Sequence, residues 1–169
     1  MYQKVEGEWK SNRPNGDITH TWYDENGVLY QKVECKYVNA VAQGTGVLEA
    51  YYTDGTLFIR YEGDIADNQR NGSGVLYDGY GRVIYDGEWL GDKMSGNGIT
   101  HVYDEQDRLR EKFEGTFERN HISGAGIYEW YDEKGTLVER HEGEIKNLSI
   151  VGSGIHYWYD SEGNLFAAQ

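Results

Sequence analysis

The chain has 169 residues with 16 Lys and Arg against 29 Asp and Glu, and its formal charge of −13 argues against direct nucleic-acid binding or an anionic lipid surface as a partner. A lone Cys allows no internal disulfide, and with neither an apolar leader nor a transmembrane stretch in the sequence the expected setting is cytoplasmic. The 23 Gly, 15 Tyr and single Pro suit tight turns and half-buried pleats, and no stretch shows sustained helical periodicity.

In chain order, an aromatic or apolar residue followed by an acid and a small residue opens a unit at Val5, Val33, Tyr61, Tyr85, Phe113 and His141, about every 28 residues. Eleven residues after each opening stands a glycine (Gly16, Gly44, Gly72, Gly96, Gly124, Gly152), and five units add a second glycine two residues later. An alternating run follows. It ends in three turn residues whose third is Gly27, Gly55, Gly81, Asp107, Gly135 or Gly163. That pattern predicts a three-residue hairpin loop, a type I turn closed by a residue of positive φ. Tyr23, Tyr51, Tyr103, Tyr131 and Tyr159 should then each face the Leu six residues on. The unit opening at Tyr61 has only 24 residues, two fewer in each arm, so one pair of rungs is lost and the alternation survives.

These residues resemble the MORN repeat, a YEGxW opening followed by a GxG pair, a strand and a DG turn, over residues 2–169. The resemblance implies an all-β fold, a single-layer twisted antiparallel meander of consecutive β-hairpins, in one repeat domain spanning 1–169. About thirteen strands are expected. The arrays it resembles occur as scaffolds, as tethers near membranes and as appendages on enzymes, so the resemblance implies interaction more than chemistry.

Strand parity divides the side chains. One face is expected to be the core, with the opening residues, Trp9, Tyr37, Ile65, Trp89 and Phe117, the Tyr and Leu rows, and Val47, Val75, Ile99, Ile127 and Ile155. The motif glycines lie on this face and leave room for neighbouring rings, with Cys35 in one of their places. The other face is expected to carry bases (Lys4, Lys32, Arg60, Lys112, Arg140) beside acids (Glu6, Glu34, Glu62, Glu114, Glu142) as a lattice of ion pairs. Toward the hairpin tips that face should turn aromatic at Trp22, Tyr30, Phe58, Tyr128, Trp130, Trp158 and Phe166. Trp and Tyr are favoured at binding hot spots, so these seven are the candidate partner-binding residues.

No catalytic constellation is expected. The five His fall at different places in different units, and His20 and His156 are five units apart, too far to share a metal. Rows of Asp and Glu preserve the repeat symmetry that a catalytic pair would break. The sequence thus points to a non-enzymatic module without cofactor or metal, binding a protein or peptide. The alternatives are a homo-oligomeric scaffold, including a homodimer through open strand edges, an acidic inhibitor or effector of a nucleic-acid-binding or defence enzyme, and a glycan binder.

Overall fold

The computed structural model describes residues 1–146 and 149–169. Among them thirteen strands lie in one open sheet in sequence order, each antiparallel to the next, as the alternation and turn spacing predict. They are β1 (Tyr2–Lys10), β2 (Arg13–Tyr23), β3 (Leu29–Val38), β4 (Val41–Tyr51), β5 (Leu57–Ala66), β6 (Gln69–Asp78) and β7 (Val83–Leu90). Then come β8 (Lys93–Tyr103), β9 (Leu109–Glu118), β10 (His121–Tyr131), β11 (Leu137–Lys146), β12 (Ser149–Tyr159) and β13 (Leu165–Ala168). Residues group into two compact units, Met1–Ile84 with Trp89–Asp92, and Tyr85–Glu88 with Lys93–Gln169.

The hairpin tips follow the turn chemistry. The third loop residues have φ of 82° at Gly27, 84° at Gly55 and Gly81, 66° at Asp107, 81° at Gly135 and 82° at Gly163. At five tips the aspartate before the loop accepts backbone N–H groups, as Asp132 does from Lys134 at 2.7 Å and Thr136 at 2.9 Å. Between the hairpins run two-residue loops in which both residues have positive φ, at Ser11–Asn12, Asn39–Ala40, Asp67–Asn68, Gly91–Asp92 and Arg119–Asn120. Both positive values are the type I′ signature, and they explain why Asn and Asp dominate there.

The facing Tyr and Leu rows appear as expected: Tyr23 pairs with Leu29, Tyr51 with Leu57, Tyr103 with Leu109, Tyr131 with Leu137 and Tyr159 with Leu165. One rung further in, the register shifts by a residue. Trp22 pairs with Gln31 and not Tyr30, Trp130 with Glu139 and not Val138, and Trp158 with Ala167 and not Phe166. The extra residue exchanges the faces of everything beyond it. Val47 therefore pairs with Glu34 and Glu62, Val75 with Glu62, Ile99 with Glu114, Ile127 with Glu114 and Glu142, and Ile155 with Glu142. These five belong to the charged face, and so does the Tyr row, whose Tyr51 donates its hydroxyl to Glu49 at 2.7 Å.

The core is built under the opening residues. In the first unit Tyr61 is 2% exposed and meets Trp89 edge to face at 5.4 Å, and the indole N–H of Trp89 donates to the Gly74 carbonyl at 3.0 Å. In the second unit Tyr85 and Phe113 both meet Phe117 edge to face, at 5.2 and 5.3 Å. Each opening ring lies flat over a cross-strand glycine pair, so a Cβ on Gly126 would stand 2.5 Å from the Phe113 ring. Cys35 fills a motif-glycine place, buried against Gly46. Trp9, expected in the core, is 52% exposed.

The charged face carries the expected ion pairs. Lys4, Lys32, Arg60, Lys112 and Arg140 each meet the glutamate two residues on. A second acid knits neighbouring strands: Glu49 lies between Lys32 and Arg60, and Glu129 between Lys112 and Arg140.

Candidate functional site

The register shift decides where the candidate aromatic residues stand. Trp22, Trp130 and Trp158 lie on the same face as the opening residues, continuing the core toward the hairpin tips, and not on the charged face. Each is two residues beyond another ring on its own strand, a spacing that puts both on one side of the sheet. Trp22 stacks on His20 at 3.6 Å, Trp130 on Tyr128 at 4.3 Å, and Trp158 packs on His156 at 4.5 Å with its plane tilted. The three tryptophans remain partly exposed.

In the second unit these rings join. His156 sits between Trp158 and Trp130, 5.9 Å from the latter, and 5.8 Å from the buried His141. Tyr128 is 5% exposed, so it is a core residue supporting Trp130 and not a contact surface. Its hydroxyl donates to Glu111, and burial, reinforced by that carboxylate, raises its pKa. Phe166, the extra residue at the register shift, is 68% exposed. His156 Nε2 lies 3.2 Å from Glu139.

The first unit holds its candidates apart. Trp22 and His20 form one patch, in which His20 Nε2 meets the Gln3 side chain at 3.0 Å and burial lowers the His20 pKa. Tyr30 is half-buried, with its hydroxyl 4.0 Å from the Met1 sulfur. Phe58, 47% exposed, belongs to a separate cleft at the tips with Tyr52 (53%) and Tyr80 (88%). Tyr52 meets Phe58 edge to face at 4.9 Å, and Arg82 lies over the Tyr80 ring at 5.1 Å. The shortened hairpin explains this cleft, because Asp78 already begins its turn opposite Ile59 and leaves Leu57 and Phe58 beyond the end of β6.

Sequence reasoning missed His20, His141, His156, Tyr52 and Tyr80. The first and third were signalled by the His-x-Trp spacing that recurs at 20–22 and 156–158. Among the described residues no group of three or more His, Cys, Asp or Glu side chains is placed to hold a metal.

A meander of hairpins with aromatic openings over paired glycines, and aromatic rings toward its tips, defines an antiparallel repeat sheet. The MORN repeat model matches residues 6–16, 61–82, 85–101 and 113–133, and the MORN repeat variant matches 17–36. The chain belongs to the MORN-repeat family, whose repeats commonly serve as protein- or membrane-interaction modules and are generally non-enzymatic. No curated protein matches the chain.

Proposed function

We propose that the chain is a non-enzymatic interaction module that holds a protein or peptide against the partly exposed rings near its hairpin tips. The observation that carries this reading is that Trp22, Trp130 and Trp158 are each braced by a ring two residues earlier on the same strand while part of each remains open to solvent. A braced indole has little rotamer freedom left to lose, so its contact area is converted to affinity at low entropic cost. Trp22 with Tyr30, and separately Phe58 with Tyr52 and Tyr80, serve in the first unit. Trp130, Trp158 and Phe166 serve in the second. The charge of −13 favours a basic protein segment over an anionic membrane, and a free Cys35 suits the cytoplasm.

The test is cross-linking capture of partners by the wild-type chain and by Trp22→Ala, Trp130→Ala and Trp158→Ala, with thermal melts alongside. Partners whose capture falls tenfold in variants that still melt cooperatively support the reading. Unchanged capture sinks it.

A further inference from the structure

His141 opens the last unit where Tyr61, Tyr85 and Phe113 open earlier ones, and it takes their buried place without their chemistry. The tyrosine hydroxyls reach past the glycine pair to backbone carbonyls, Tyr61 to Asp64 at 2.7 Å and Tyr85 to Glu88 at 2.9 Å. Phe113 has no polar atom to satisfy. The imidazole is shorter than a phenol, and at 3% exposure neither of its ring nitrogens has a hydrogen-bond partner. The ring is instead enclosed against Gly143 and Gly154. A neutral ring can be held this way at moderate cost, whereas an imidazolium cannot.

Among the described residues no carboxylate bonds its ring. Across on β10 is Tyr128, whose hydroxyl is tied to Glu111 of β9. Across on β12 is His156, a second base. Glu139, two residues earlier on β11, is engaged by His156 Nε2, and Gln169, the residue after β13, bonds the His156 backbone. Burial, and then the neighbouring His156, hold the His141 pKa below its usual 6.5.

We infer that the His141–His156 pair makes the aromatic surface of the second unit acid-releasable: protonating His141 forces β11 and β12 apart and breaks the Trp130–His156–Trp158 stack, freeing a bound partner. The inference rests on the binding role proposed above for these tryptophans. Its sign follows from linkage. The unfolded segment binds a proton near 6.5 and the folded one only at lower pH, so the packing is fully stable above 6.5 and weakens as pH falls below it.

Hydrogen–deuterium exchange of the free protein tests the opening without any partner. Between pH 7.5 and 5.5, corrected for intrinsic exchange chemistry, protection of β11 and β12 amides falls by up to about tenfold, the limit for one proton taken up by the opened segment alone, while β4 and β5 amides act as the internal control. In His141→Phe, which adopts the solution seen at Phe113, protection stays level. Equal losses in wild type and variant overturn the inference. Should the variant fail to fold, an NMR titration of the wild-type ring decides, since a His141 midpoint at or above 6.5 also overturns it. Acid opening that persists while Trp130→Ala and Trp158→Ala leave capture unchanged removes the partner from this surface, a failure of the binding reading alone.

Discussion

Ala40 donates its amide to the Pro14 carbonyl at 2.9 Å, and the missing N–H of that proline explains why an alanine stands in the loop. At the equivalent places the loop residue makes two bonds: Asn120 donates its amide to the Met94 carbonyl and accepts the Met94 N–H on Oδ1 at 2.8 Å. Asn68 does the same with Ala42, and Asp92 with Arg70. Opposite Pro14 there is no N–H to accept, so Ala40 loses nothing by lacking an oxygen, yet it keeps an unfavourable φ of 73°. Ala40→Gly should therefore stabilise by about 1 kcal/mol, and Asn120→Ala should destabilise by about 1–2 kcal/mol because it incurs the φ cost and orphans a donor. Urea midpoints measure both, and a destabilised Ala40→Gly would show that the loop strain is not there.

Two glycines in the second unit are required for different reasons, and substitution separates them. A Cβ on Gly135 meets nothing within 4 Å, but its φ is 81°, so Gly135→Ala should cost about 1–2 kcal/mol, all of it conformational. Gly126 has no positive φ, but its Cβ would stand 2.5 Å from the Phe113 ring and 2.7 Å from the Glu114 carbonyl oxygen. Gly126→Ala should cost more, about 3 kcal/mol or above, because the ring must leave its place in the core. Adding Phe113→Leu should recover part of the loss at Gly126 and none at Gly135, as read from double-mutant cycles. Additivity at Gly126 would refute the stacking account.

The contrast shows what was legible in the sequence. Gly135 sits in a turn pattern that states its own φ requirement, and the Tyr131–Leu137 rung follows from it. The extra residue one rung further in, Val138 in that hairpin, has no such mark, since Tyr30, Phe58, Arg110 and Phe166 at the other shifts are of residue types that also occur in the regular rungs on either side. Period-two counting across that point puts Trp130 on the charged face and Ile127 in the core, the reverse of where they are. The type I′ loops were readable from their Asn and Asp, but pairing Ala40 with Pro14 needs the neighbouring hairpin. Likewise, the His-x-Trp spacing was visible, whereas the lack of partners for His141 appears only when the ring is packed over Gly143 and Gly154.

Cys35 should be an inert thiol. It is 8% exposed, and burial pushes its pKa up to about 11 despite a hydrogen bond from the Gln43 backbone. The thiolate is the reactive form, so at pH 8 iodoacetamide should label the native chain orders of magnitude more slowly than the urea-unfolded chain. Comparable rates would place the sulfur in solvent. Cys35→Gly, which restores the usual motif residue beside Gly46, should keep the fold with a small loss of stability from the cavity it leaves.

The tip aspartates should make the protein acid-sensitive in a window set by their hydrogen bonds. The Thr136 backbone N–H, set against the opposing effect of burial and joined by the Lys134 backbone N–H and the Lys134 and Arg110 charges, lowers the Asp132 pKa below its usual 3.8. Asp160 is lowered in the same way by the backbone and side chain of Asn164. A carboxylate with a depressed folded pKa contributes fully above the unfolded value and loses that contribution as pH falls through the folded one. Asp132→Asn keeps an acceptor oxygen in the turn but removes the charge, so the variant should be less stable than wild type at pH 7. Their urea midpoints should draw together between pH 7 and pH 3, because the contribution of the wild-type charge is lost progressively as pH falls below 3.8. A gap of the same size at both pH values would mean that the Asp132 charge plays no part in holding the turn, leaving only the geometry that Asn reproduces.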